Sequence, residues 1–199
     1  MLILSLPIFL LAKPLLNLWL TAVPEYTVIF LQLILTQSLF QVFDTSFYTA
    51  LYAKGQLREN ALISPTLGFM TFPIVYLLFK IGYSPVALSW ASLIAYAILG
   101  LIVKPILIIK VVDYKWKDIL KTFIPCFWVT LASLPIPLIC NYTLNSSTIT
   151  GFVSIGIISI MSVAVSVCFI GLNREMRSKI INEVSKRVVK FRVGLGKIA

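Results

Sequence analysis

Histidine is absent from this chain, and acidic residues are scarce: seven Asp and Glu against 17 Lys and Arg in 199 residues. Without an imidazole there is no histidine general base and no histidine-containing metal site. The three cysteines, Cys126, Cys140 and Cys168, lie in or beside apolar segments with no C-x-x-C spacing, so their expected role is small apolar packing. No glycine-rich phosphate loop, H-E-x-x-H or G-x-S-x-G motif occurs, and no two acidic residues share a helical face. Asp113 and Asp118 are five apart, a poor helical pairing, and read as loop solvation. The sequence therefore predicts no enzyme, no metal and no cofactor.

Charge of either sign is missing over long stretches. Between Thr122 and Asn173 no side chain is charged, and further apolar stretches of spanning length precede that one. Charged residues make up 12% of the chain and hydrophobic ones 59%, with a mean hydropathy of +0.98. A bilayer core about 30 Å thick is crossed by about 20 mostly apolar helical residues, so the chain is expected to be an all-α, polytopic membrane protein surrounded by lipid. The net charge of +10 does not imply nucleic acid, because the positive residues sit between apolar runs and in the tail, not on the face of a soluble module.

Six apolar segments are predicted to span, at about residues 2–20, 26–53, 61–79, 85–109, 119–140 and 150–172. Pro24-Glu25, Gly55, Gly82 with Pro85, and the Asn, Ser and Thr of 141–150 supply turns between them. If the first span runs outward from the cytoplasm, 15 of the 17 Lys and Arg fall on the inner side, leaving only Lys80 outside and Lys13 within a span. This bias predicts both termini in the cytoplasm. It counts Lys104, beside Pro105, as an anchor at the inner interface in preference to a residue of the pathway. Trp19, Tyr26, Tyr83, Trp116 and Tyr142 fall near span ends, where an aromatic belt belongs. The triplets Asn141-Tyr142-Thr143 and Asn145-Ser146-Ser147 fall in an outer loop, but such triplets are common by chance.

The chain divides into a transmembrane bundle, 1–173, and a basic tail, 174–199. In the tail Met176, Ile180, Ile181, Val184, Val188 and Phe191 recur at helical spacing among Arg and Lys. Such an amphipathic helix either lies on an anionic leaflet or is simply a solvated end. Met1-Leu2-Ile3-Leu4 opens directly in apolar sequence without the positive lead of a signal peptide, a start expected within a larger membrane protein.

Polar residues inside spans are costly and mark function by default. Asp44 is the clearest, because Gln37, Gln41, Asp44, Tyr48 and Tyr52 follow one another at about a helical turn and share one face. That stripe either lines a hydrated pathway or packs against another helix through interhelical hydrogen bonds. Lys13, in the first span, either snorkels to an interface or points into the same cavity. The transport-cavity candidates are thus Lys13, Gln37, Gln41, Asp44 and Tyr48. Prolines 7, 14, 65, 73, 125, 135 and 137 are expected to bend their spans.

Leu15-Leu16-Asn17-Leu18-Trp19-Leu20-Thr21 followed by Val23-Pro24-Glu25-Tyr26 resembles a passage of bacterial oligosaccharide flippases of the Wzx type, within the multidrug/oligosaccharidyl-lipid/polysaccharide exporter superfamily. Ala53-Lys54-Gly55-Gln56-Leu57-Arg58, Pro73 to Leu77, Gly82-Tyr83-Ser84-Pro85 and Gly171-Leu172-Asn173-Arg174-Glu175 are similar to later pieces of that family in the same order. The resemblance implies a second-lobe portion of a two-lobed transporter. Such a transporter flips undecaprenyl-diphosphate-linked glycan for surface polysaccharide synthesis, and this portion is expected to need the other lobe for activity. It implies as partners the bilayer, a lipid-linked oligosaccharide, and glycosyltransferases or a polymerase of the same pathway. The alternatives are a small-molecule or drug exporter of the same superfamily, and a non-transporting membrane subunit of a polysaccharide assembly complex.

Overall fold

The computed structural model describes residues 1–55, 58–112, 114–144, 148–172 and 176–177, and the described secondary structure is entirely helical. Five helical runs are long and apolar enough to cross a membrane: Thr27–Ala53, Asn60–Lys80, Val86–Val112, Trp116–Thr143 and Thr150–Gly171. They match the predicted segments to within a few residues. The expected first span is different. It consists of α1 (Leu2–Leu10) and α2 (Ala12–Trp19), set at 76° to each other, and makes a sixth span only if the bent pair crosses as one. The physical cause sits at the joint: Pro14 has no N–H for the Leu10 carbonyl, so the ladder is interrupted where the chain turns. One freed group finds a partner elsewhere, because Gln32 Nε2 donates to the Phe9 carbonyl at 3.2 Å and ties the joint to α3.

The remaining elements are α3 (Thr27–Ala53), α4 (Arg58–Lys80), α5 (Val86–Ile98), α6 (Lys104–Val112), α7 (Trp116–Ser133), α8 (Pro135–Thr143) and α9 (Ile149–Ser166). Gly55 and Gly82, predicted as turns, adopt positive φ of 72° and 96° after α3 and α4, a conformation that side-chain-bearing residues resist. The elements pack in two groups. α3 lies against α5 and α6 with α4 against α5, while α1, α7 and α8 surround α9; α1 and α2 join the groups through α3.

Burial follows the rule for lipid and not for water. Large apolar side chains such as Phe69, Phe72, Ile102, Phe127, Ile139 and Phe169 point outward. The inside holds Ser5, Ser89, Ser133, Ser159, Ser162 and Ser166, small residues that let helix backbones approach closely. Their hydroxyls also serve the backbone. Pro137 leaves the Ser133 carbonyl without its i+4 donor, and Ser162 Oγ, reaching across from α9, donates to that carbonyl at 3.0 Å. The expected aromatic belt residues Trp19, Tyr83, Trp116 and Tyr142 are exposed at helix ends. Of the tail, only Met176 and Arg177 are among the described residues; the predicted amphipathic helix, Asp113 and the Asn145-Ser146-Ser147 triplet lie outside them. The other triplet, 141–143, closes α8.

A charged cluster beneath a cavity between three spans

Local backbone chemistry explains how a lysine comes to face the interior. Between α5 and α6 the span widens into a π turn, Leu99–Val103, in which the Lys104 N–H donates to the Leu99 carbonyl five residues back. Pro105 has no N–H to offer the Leu101 carbonyl, so one bond of the ordinary i+4 ladder is missing at this point, and a π turn takes up the misfit. Gly100, inside the turn, sits against the α3 backbone so closely that a Cβ built on it would lie 2.9 Å from the Phe40 carbonyl oxygen. The absent side chain thus allows α3 and the π turn to touch.

Lys104 follows directly. Only 2% of its side chain is exposed, and its ammonium stands 2.9 Å from Asp44 Oδ1 on α3. It also donates to Asn60 Oδ1 at the start of α4 and stands 5.9 Å from the centre of the Tyr48 ring. Ser64 Oγ, one turn further along α4, donates to the same Asn60 oxygen at 3.2 Å. Asp44 Oδ1 is sealed from solvent and makes no well-angled hydrogen bond, so the ion pair alone answers its charge. The Asp44 side chain as a whole is 21% exposed, and the residue borders the space beyond.

That space is a cavity of about 320 Å³ between α3, α4 and α5. Its polar lining is Gln41 and Asp44 from α3, Ser64 and Thr71 from α4, and Ser92 and Tyr96 from α5, set among apolar walls such as Leu67, Val75 and Leu99. Carboxylate and carboxamide oxygens accept, while the hydroxyls and the carboxamide nitrogen donate, so the lining can answer a ligand carrying hydroxyl or amide groups.

Of the five residues proposed from sequence, Gln41 and Asp44 meet in this cavity, and Tyr48 joins the cluster below it through Lys104. Gln37 is half-buried higher on α3 and does not line the cavity; Lys13 is exposed on α2, away from the cluster. The hydroxyls elsewhere on α3, Thr36, Ser38, Thr45, Ser46 and Thr49, bond carbonyls of their own helix. Lys104 corrects the sequence expectation. It is not an interfacial anchor but the buried partner of Asp44, because the π turn rotates it inward; it should not be counted among the loop positives that set orientation. Asn60 and Ser64 were missed. The available signal was a polar pair four apart at the head of a span, facing the same way as an acid in the preceding helix.

Among the described residues, helices that present apolar surface outward and a charged pair inward define an integral, multi-span membrane protein. Comparison with known proteins adds no relative: no protein-family model, no curated protein and no solved structure matches the chain.

Proposed function

We propose that this chain is part of a membrane transporter that flips undecaprenyl-diphosphate-linked oligosaccharide units across the cytoplasmic membrane for surface polysaccharide synthesis. The observation that carries the reading is the cavity of Gln41, Asp44, Ser64, Thr71, Ser92 and Tyr96 within membrane-spanning helices, since polar groups so placed are costly unless something polar uses them. The ordered resemblance of the loop and span passages to Wzx-type flippases supplies the substrate class. On this reading both termini face the cytoplasm, an N-terminal lobe outside this chain completes the pathway, and enzymes of glycan assembly are neighbours in the membrane.

The test is loss of the chain, followed by rescue with the wild type or with Asp44→Ala at equal membrane levels. The reading expects lipid-linked glycan to accumulate on the cytoplasmic side, surface glycan to fall, and Asp44→Ala to fail in rescue. Unchanged surface glycan with altered drug tolerance would replace it with small-molecule export. One observation favours a non-transporting subunit: Asp44 and Lys104 neutralise each other, as a purely architectural pair would. Full rescue by Asp44→Ala, with a polymerase or glycosyltransferase co-purifying, would establish that second reading.

A further inference from the structure

The charged cluster lies between two unlike regions. On one side is the cavity, which runs along α4 from Ser64 to Val75 and from Leu99 of the π turn back along α5 to Leu88. On the other is an apolar plug in which Leu51 of α3 packs with Leu107, Ile108 and Val112 of α6, bordered by Phe47 and by Ile63 of α4. Beyond the plug come the ends of α3 and α6 and the turn bearing Lys54 and Gly55. Gly100 meets Phe40 while Leu107 and Ile108 meet Leu51, so α3 and the α5–α6 span run in parallel with the cluster at a middle level. By rise per residue, Asp44 lies about 13 Å from the end of α3, deep enough that the plug is several side chains thick.

We propose that the Asp44–Lys104 pair and the apolar plug form a closed gate between the cavity and the Lys54/Arg58 end of the bundle, with the π turn Leu99–Val103 as its hinge. The proposal deepens the transport reading by naming the gate of the same cavity, and it is tested without transport. Three features converge on it. The pair ties α3 to α6, and Asn60 adds α4, so one cluster clamps all three helices that surround the plug. The clamp ends on the first residue after a π turn, and conversion of that turn to regular helix would rotate Lys104 by about 100° and carry it off Asp44. The pair has zero net charge and Asp44 lines the cavity, so a ligand group bound there competes directly with the clamp.

A single cysteine at Ser92, in the cavity wall but outside the clamp, reports on the gate once Cys126, Cys140 and Cys168 are replaced by serine. Its labelling by a membrane-impermeant thiol reagent is timed in membrane vesicles of both orientations. In the otherwise wild-type chain labelling from the Lys54/Arg58 side is expected to be slow. Lys104→Met should speed it from that side by at least about tenfold, the factor that corresponds to about 1.4 kcal/mol, with little change from the other. Leu51→Ala, which thins the plug but spares the pair, should do the same, and keeps the question answerable if Lys104→Met does not accumulate. Unchanged rates in the variants overturn the gate. Equal acceleration from both sides also overturns it, because that is general loosening. Normal surface glycan with sided acceleration would leave the gate standing while removing the flippase reading.

Discussion

Removing one member of the Asp44–Lys104 pair should cost more than removing both. At 2.9 Å and an effective dielectric of about 20, two unit charges attract by about 6 kcal/mol before desolvation is subtracted. Desolvation takes back most of that, so the intact pair contributes little net stability, but a lone buried charge keeps its penalty, about 3–5 kcal/mol by comparison with other buried pairs. The two singles should differ. Asp44→Asn strands Lys104, which at 2% exposure cannot reach water, whereas Lys104→Met strands Asp44, whose side chain is 21% exposed beside the cavity and can be hydrated. The expected order of loss is therefore Asp44→Asn first, Lys104→Met second, and the double variant least. The assay is denaturant unfolding of the purified chain in mild detergent, followed by fluorescence of its four tryptophans. Additive losses in the double variant, within about 0.5 kcal/mol, would refute an energetic coupling between these side chains.

Two further predictions rest on backbone contacts. Gly100→Ala should destabilise by about 1–3 kcal/mol, because its Cβ would press on the Phe40 carbonyl, a backbone atom that cannot swing away. Gly68→Ala, with nothing within 4 Å of the added carbon, should be neutral or stabilising by up to about 1 kcal/mol, and thermal melts of the two variants side by side check the contrast. Ser162→Ala should cost about 1–3 kcal/mol by orphaning the Ser133 carbonyl that Pro137 already deprives of its helical donor. A Ser162→Ala/Pro137→Ala double variant, which returns the N–H, should recover part of that loss in the same melts.

The class, five of the spans and the turns were legible in the order of residues alone. Length and continuity of apolar runs are local properties, and lipid enforces helices on them because no water is present to satisfy a stray carbonyl. Glycines at 55 and 82 likewise announce themselves, since the chain reverses there and φ turns positive. The polar stripe on α3 was legible from spacing alone, and Gln41, Asp44 and Tyr48 do gather around one site. What spacing could not say is what the stripe faces. Helical periodicity fixes which residues share a face, but not which neighbour that face meets, nor whether a prolyl residue bends a helix or widens it. At Pro14 the chain bends by 76°, dividing the first apolar segment and leaving Lys13 outside the site. At Pro105 the span stays continuous and takes up a π turn, which turns Lys104 from an apparent interface anchor into the buried partner of Asp44. Both outcomes depend on packing against α3, through Gln32 in one case and Gly100 in the other, and those contacts exist only once the helices are assembled.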